Sequence, residues 1–215
     1  MSLFSKFKNS LQKTSNFLSS NVISSFQNKN LSRYELANLA CKIEMDVLNE
    51  PSGKQDPFIS SYGGLKVINI DKNGATKTED SIISNDFNCE LEESFLAYFT
   101  GYTRNSRNIL GEQEKKTKKK NIEIISSLDF VKDIALETIE IFKKGSIKDY
   151  AKLMNEHWKF KMKRSKDMSS SKINRIIEYG LKNGAIGAKL VGAGGGGFIL
   201  FITQDKLKLR SKMKD

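Results

Sequence analysis

The residues best suited to chemistry in this sequence are a run of glycines placed directly before an apolar stretch. Residues 189–202 read KLVGAGGGGFILFI, so that Lys189 precedes Gly192, Ala193 and the four glycines 194–197. Glycine loses the most backbone entropy on folding, so such a run serves either a tight turn or a close approach to the backbone. Successive N–H groups without Cβ atoms can form a concave nest for an anion. The spacing alone leaves both interpretations open.

The glycine run differs from the two common nucleotide-binding fingerprints. No Gly-Lys-Ser or Gly-Lys-Thr follows it, which excludes a Walker loop. A strand, FILFIT, is predicted after it where the dinucleotide fingerprint requires a helix.

Two carboxylates on either side of a Pro-Ser-Gly turn form a second candidate. Glu44 lies near the end of a predicted helix, and Asp56 follows the turn. Such a pair can divide the tasks of holding Mg²⁺ and polarising a hydroxyl. Asp56 before Pro57 is also typical of an N-cap with proline at the first helical position, and the two roles are compatible. Asp46 and Glu50 compete with Glu44 on spacing alone.

A third candidate is the polar segment after the predicted strand 94–100. Thr103 and Arg104 suit an anionic sugar or a phosphate, although a plain polar loop explains them equally well. His157, the only histidine, has no Cys or Ser partner pattern and receives no role.

Composition indicates a protein with a core. The 215 residues are 38% hydrophobic and 28% charged, with a net charge of +11. This charge is compatible with an anionic substrate, and also with nucleic acid, for which we find no recognised module. No apolar run reaches the roughly 18 residues that span a bilayer, and the basic N-terminus lacks an apolar signal core. The two cysteines indicate no disulfide framework, so a cytoplasmic location is expected.

The predicted elements give an α+β chain. Helices are expected over 31–50, with a capping box from Ser32 and Glu35, and over 124–145, 146–165 and 170–185. Strands are expected over 63–70, in ATKTE, over 94–100 and in FILFIT. A boundary is expected near residues 80–92, where the sequence is polar and weakly periodic.

Three motifs in this order resemble the later part of a sugar kinase: GKQDPFISSYGGL, FTGYTRNSRNIL and GAIGAKLVGAGGGGFILF. The chain is similar to the galactokinase, homoserine kinase, mevalonate kinase and phosphomevalonate kinase (GHMP) family, and most similar to its heptose 7-phosphate kinase branch. The resemblance covers residues 16–205. It implies a partial GHMP N-terminal domain over 1–85, followed by a ferredoxin-like GHMP C-terminal domain over 86–215.

The resemblance implies transfer of the ATP γ-phosphoryl group to a sugar hydroxyl, with ATP and Mg²⁺ as cofactors and a sugar phosphate as partner. Asp56 matches the catalytic Asp of the family, and Glu44 matches its Mg²⁺-binding Glu with one extra residue between them. The remaining matches fall into two groups. The phosphate-facing loop corresponds to Gly192, Ala193, Gly194, Gly195, Gly196 and Gly197, and the substrate-binding positions correspond to Lys54, Thr103, Arg104 and Lys189.

The chain departs from the family pattern at its ends. The family's Gly-Leu-Gly-Ser-Ser-Ser loop, which cradles ATP, has no counterpart, although residues 16–26 resemble the helix that follows it. We therefore expect the chain alone to bind ATP poorly and to show little or no kinase activity. Two alternatives stay open. A separate N-terminal polypeptide could complete a split kinase, or the chain could be a non-catalytic sugar-phosphate-binding or remnant protein.

Overall fold

The computed structural model describes residues 30–101, 111, 117, 122–164, 170–192 and 194–214, apart from the side chains at 123, 124, 163 and 164. Its mixture of helices and antiparallel sheets confirms the α+β class. The chain divides into two compact units, of which the first ends at Ser81 and the second begins at Ile82. In the described ranges no helix combines the length and apolarity that crossing a bilayer requires.

The first unit begins with helix α1, Arg33–Cys41, and its predicted capping box is present. The Ser32 hydroxyl accepts from the Glu35 N–H, and the Glu35 carboxylate accepts from the Ser32 N–H at 2.8 Å. A π-helical turn, Lys42–Val47, continues α1. Asn49, with φ +52°, follows it. Asn tolerates this left-handed conformation, so the helical segment ends before residue 50, the end expected from the sequence.

Helix α2, Gln55–Tyr62, packs against α1 and carries the main core residue of the first unit. Phe58 is completely buried against Ala37 and Cys41. Its ring meets Tyr34 edge-on at 6.0 Å and lies nearly parallel to Tyr62 at 6.2 Å. On α1, Leu36 is exposed, and the small residues Ala37 and Cys41 make the core contact.

A hairpin completes the first unit. Strands β1, Lys66–Ile70, and β2, Thr76–Asp80, pair antiparallel as predicted. The Asp71 carboxylate accepts from the N–H groups of Asn73 and Ala75 at 2.8 Å, which fixes the turn between the strands.

The second unit contains a helix that the sequence analysis missed. Helix α3, Asn85–Ser94, begins at the Ser84 cap, and only Phe87, Leu91 and Ser94 of its residues are buried. Its polar composition hid this narrow apolar face. The predicted helices follow as α4, Ile122–Lys144, α5, Ile147–Arg164, and α6, Ser171–Lys182, with a short α7, Lys206–Lys212, near the end of the described chain.

Three antiparallel strands form the sheet of the second unit. They are β3, Phe95–Phe99, β4, Ala185–Leu190, and β5, Phe198–Thr203, in the order β3-β5-β4. Strand β4 was not predicted, because its small residues and lysine carry a weak strand signal. Its edge is covered by Asn155 of α5, whose side chain donates to the Ile186 carbonyl at 3.0 Å and accepts from the Ala188 N–H at 2.9 Å.

Helix α5 approaches β4 closely at Gly187. A Cβ atom there would lie 2.9 Å from the backbone Cα of Ala151, and a backbone atom cannot move aside as a flexible side chain does. We expect Gly187→Val to lower the free energy of unfolding by about 1–3 kcal/mol or more through overpacking. Urea unfolding measures this loss. Ala97→Val, at an exposed position on β3, is the matched control and should change stability by less than about 0.5 kcal/mol. Equal stability of Gly187→Val and wild type would contradict the close approach.

Candidate functional site

The glycine run forms the loop that joins β4 to β5. Four of its glycines have positive φ: Gly192 at +80°, Gly194 at +110°, Gly195 at +75° and Gly197 at +96°. L side chains rarely adopt this conformation, so the loop requires glycine at these positions. The run is therefore a turn between two strands whose backbone carries no Cβ at these four places. Ala193 lies outside the described residues.

Hydrogen bonds hold the described loop at both ends. At one end, the buried Thr100 donates from its N–H and its hydroxyl to the Gly197 carbonyl, each at 2.9 Å. At the other end, the Lys161 ammonium of α5 donates to the Gly192 carbonyl. The loop is thus attached to strand β3 on one side and to helix α5 on the other.

Lys189 is a largely buried cation just before this loop. Its register partner on β5 is Leu200, and within the described chain its ammonium has no hydrogen-bond or ion-pair partner. Burial lowers the pKa of the Lys189 ammonium below its ordinary value, because desolvation disfavours the charged form. A cation in this setting is suited to an anionic ligand.

Replacing Lys189 by methionine should stabilise the fold in a pH-dependent way. Because the folded-state pKa is depressed, the unfolded chain binds more protons than the folded one between the two pKa values, and wild-type stability rises with pH there. We expect Lys189→Met to exceed wild type in unfolding free energy at neutral pH, with a gain that shrinks as the pH nears the ordinary lysine pKa. Urea unfolding at several pH values measures the gain. A gain that is independent of pH, or equal to that of the exposed control Lys148→Met, would contradict this account.

Asp56 lies in the first turn of α2, and its side chain is exposed. The prediction that Asp56 is the N-cap is wrong, because Lys54 occupies that position and the Phe58 N–H bonds to the Lys54 carbonyl at 3.1 Å. Pro57 is tolerated in the first turn because an N–H there needs no intrahelical partner. A carboxylate in the first turn is also favoured by the helix dipole. Asp56 is therefore a solvent-accessible carboxylate on a helix that the neighbouring Phe58 anchors in the core.

Glu44 lies in the π-helical turn, and such turns occur frequently at functional sites. Its carboxylate accepts a hydrogen bond from the Ser52 hydroxyl at 3.2 Å. Burial raises the pKa of the nearby Cys41 thiol, the charge of Lys54 opposes this shift, and that of Glu44 adds to it. Glu44 and Lys54 therefore both lie within electrostatic range of Cys41.

The Lys54 ammonium donates to the carbonyl of Gly74, which lies in the turn of the β1–β2 hairpin. Lys54 thereby links the start of α2 to that turn. An ammonium carries three donors, so this bond is compatible with further contacts.

The residues around Glu44 fit the way in which proteins hold Mg²⁺. This ion is usually bound by one or two carboxylates together with substrate phosphates. In the part of the chain that the structure describes, no cluster of three or more His, Cys, Asp or Glu side chains could hold a metal ion. A single carboxylate beside a hydroxyl, as at Glu44 and Ser52, suits an ion that is completed by phosphates.

The structure adds two residues that the sequence analysis did not assign, His157 and Lys161. They lie one turn apart on α5 and line one cavity together with Lys189 and Gly192. The available signal was the i, i+4 spacing of two basic residues in the basic segment 157–166. Thr103 and Arg104 lie outside the described residues.

A family model, "GHMP kinases C terminal", matches residues 138–214. This range contains α5, α6, β4, the glycine loop, β5 and α7. The chain is also 29% identical over 178 residues to D-glycero-alpha-D-manno-heptose 7-phosphate kinase of Campylobacter jejuni, covering 83% of this chain and 52% of that protein. The chain thus spans about half the length of this curated relative.

Solved structures share the fold. A D-glycero-D-manno-heptose 1-phosphate kinase from Bacteroides thetaiotaomicron aligns with a TM-score of 0.61 and 22% identity, over 87% of this chain and 49% of that one. The galactokinase of Lactococcus lactis, solved with galactose, aligns with a TM-score of 0.66 and 18% identity, over 94% of this chain and 60% of that one.

These findings confirm the resemblance that the three sequence motifs indicate. The family match covers the glycine loop and the strands β4 and β5 on either side of it, and the structural likeness extends over most of the chain. The chain is similar to the GHMP kinases, and its residues 138–214 match the model of their C-terminal domain.

Proposed function

We propose that the chain is the later part of a GHMP-type kinase that transfers the γ-phosphoryl group of ATP to a hydroxyl of a sugar phosphate, with a heptose phosphate as the preferred acceptor. The observation that carries this proposal is the 178-residue similarity to a heptose 7-phosphate kinase. The exposed Asp56 and the positive-φ glycine loop support it, because they supply the two kinds of group that phosphoryl transfer needs.

In the proposed reaction the acceptor hydroxyl oxygen attacks the γ-phosphorus of ATP. The bond from that phosphorus to the β–γ bridging oxygen breaks, ADP leaves, and the hydroxyl proton passes to the Asp56 carboxylate. Asp56 is suited to this role by its exposure and by the rigid anchoring of α2 through Phe58. A positioned general base contributes about 10²–10⁴-fold to the rate of such a step.

The other residues in the proposal bind or neutralise the charged groups of the reactants. Glu44 would hold Mg²⁺, which neutralises phosphate charge when bound. The backbone of the glycine loop allows phosphate oxygens to approach without meeting a Cβ atom at four positions. Lys54 and Lys189 are the substrate-side cations, and Thr103 and Arg104 extend this set by resemblance. Catalysis of phosphoryl transfer depends mainly on positioning and electrostatic stabilisation.

Transfer of radioactive phosphate from [γ-³²P]ATP to heptose 7-phosphate tests the proposal. We compare the chain alone with the complemented chain, by which we mean the chain mixed with a separately produced polypeptide that carries a GHMP-kinase ATP loop. The complemented chain should phosphorylate the sugar phosphate, and the chain alone should show little transfer. Binding of the sugar phosphate without transfer in either sample would favour a non-catalytic binding protein. The absence of both binding and transfer would contradict the proposal.

A further inference from the structure

A cavity of about 200 Å³ lies in the second unit, where α5, the end of β4 and the first glycine of the loop meet. Its ionisable lining residues are His157, Lys161 and Lys189, and none of the described residues that line it is acidic. The rest of the lining consists of Trp158, Leu190, Val191 and Gly192. The cavity therefore concentrates basic groups on an otherwise apolar wall.

The charge of Lys189 makes the binding of an anion in this cavity favourable. The ammonium is largely removed from water, and within the described chain no carboxylate pairs with it. A buried charge without a partner is costly, and an anion that enters beside it offsets that cost. Lys161 adds a second ammonium, which is already placed at the cavity through its bond to the Gly192 carbonyl. His157 adds a ring N–H donor.

The size of the cavity selects among anions. Pockets for drug-sized ligands usually enclose about 300–1,000 Å³, so a whole nucleotide exceeds the roughly 200 Å³ here. A single phosphate group fits. Its several oxygens can accept hydrogen bonds from two ammonium groups and an imidazole at once, and charge-assisted bonds of this kind are the stronger class.

We infer that this cavity is a binding site for a phosphate monoester group, with Lys189, Lys161 and His157 as its polar contacts. The inference deepens the proposed function. It rests on that function only for the identity of the molecule that carries the phosphate group, which is the sugar phosphate. It assigns His157 and Lys161 to substrate binding and gives Lys189 a defined ligand group.

Trp158 provides a direct probe of this site. It lines the cavity and is the only tryptophan in the sequence, so the intrinsic tryptophan fluorescence of the chain reports on this position alone. We titrate the full chain with inorganic phosphate at constant ionic strength and neutral pH. The expected result is a saturable change in Trp158 fluorescence, which an equal titration with chloride does not produce.

Substitutions distinguish phosphate binding at this site from a general effect of the net charge. Lys189→Met should weaken phosphate binding by about tenfold or more, because a charge-assisted hydrogen bond is lost. This variant removes an unpaired buried charge, so we expect it to fold, which circular dichroism verifies. His157→Gln is a second variant, which retains a polar side chain and should weaken binding by about tenfold or less. Lys148→Met changes the same charge at an exposed position of α5 outside the cavity and should bind phosphate as wild type does.

Two results would overturn the inference: no saturable change with phosphate, or equal weakening by Lys148→Met and Lys189→Met. The outcome is independent of the kinase reaction because the titration contains no ATP. Phosphate binding without phosphoryl transfer by the complemented chain would leave this site standing and remove the proposed function. Phosphoryl transfer without a phosphate-dependent change in Trp158 fluorescence would remove this site and leave the proposed function standing.

Discussion

Asp56→Asn should reduce phosphoryl transfer by the complemented chain by about 10²–10⁴-fold. The amide has nearly the shape of the carboxylate but cannot take the proton of the acceptor hydroxyl. The side chain is exposed in the first turn of α2, so the substitution removes no core contact. Initial rates of radioactive phosphate transfer to heptose 7-phosphate measure the effect. Sugar-phosphate binding should change little, which separates the loss of a proton acceptor from the loss of the site.

The matched control for this substitution is Asp86→Asn. Asp86 is likewise an exposed acidic residue in the first turn of a helix, α3. Both substitutions therefore remove the same small favourable interaction with a helix dipole, about 0.3–1 kcal/mol. Asp86→Asn should retain the full rate. A similar fall in rate for both variants would mean that helix stability, and not the Asp56 carboxylate, limits the reaction.

Phe58→Ala should lower the stability of the first unit by about 3–5 kcal/mol, the usual cost of deleting a buried phenylalanine ring. Phe58 is completely buried, and its contacts with Ala37, Cys41 and Tyr34 join α1 to α2, while Tyr62 of α2 packs on its other side. The buried neighbours Ala37 and Cys41 are small, so they can fill little of the cavity left behind. The same change should loosen the start of α2, which carries the proposed general base.

Hydrogen exchange of the α2 amides measures this effect locally, and urea unfolding measures it globally. Phe58→Leu keeps most of the buried volume and should cost less than Phe58→Ala. Ile70→Ala truncates a half-exposed residue in the same unit and should change stability by only about 0.5 kcal/mol. Unchanged protection of the α2 amides in Phe58→Ala would show that this ring does not anchor the helix.

Local signals in the sequence predicted several elements well. The predicted Ser32–Glu35 capping box is present, and Ser146, at the start of the helix expected over 146–165, caps α5 by accepting from the Asp149 N–H. Such caps depend on residues three or four apart, so a short window contains the whole interaction. Strands were expected over 63–70 and in ATKTE, and the turn that joins them is likewise fixed by residues close in sequence.

Elements that depend on distant partners were missed. Strand β4 is built from small residues and a lysine, and its stability comes from pairing with β5 and from the side chain of Asn155, about thirty positions earlier in the sequence. Helix α3 buries only a narrow face. The π-helical turn at Glu44 was also not predicted, since its apolar residues follow ordinary helical spacing. None of these contacts is visible in a local pattern.

Among the candidate functional residues, too, features set by the local sequence were predicted and features set by distant contacts were not. The glycine loop was identified from composition, and four of its glycines have the positive φ that L side chains rarely adopt. The tethers from Thr100 and Lys161 and the position of His157 beside Lys189 depend on the packing of α5 and β3 around the loop. The i, i+4 spacing of His157 and Lys161 indicates a shared helix face but does not indicate which strand and loop that face contacts. The roles of Asp56, Glu44 and Lys54 stay predictions.

The most direct test of the account is the phosphorus NMR spectrum of the products that the complemented chain forms from ATP and heptose 7-phosphate. We expect a second phosphate resonance on the sugar that grows in step with ADP and is lost in Asp56→Asn. Formation of ADP and inorganic phosphate with no new sugar phosphate would contradict it, as would a sugar bisphosphate that forms equally well without the Asp56 carboxylate.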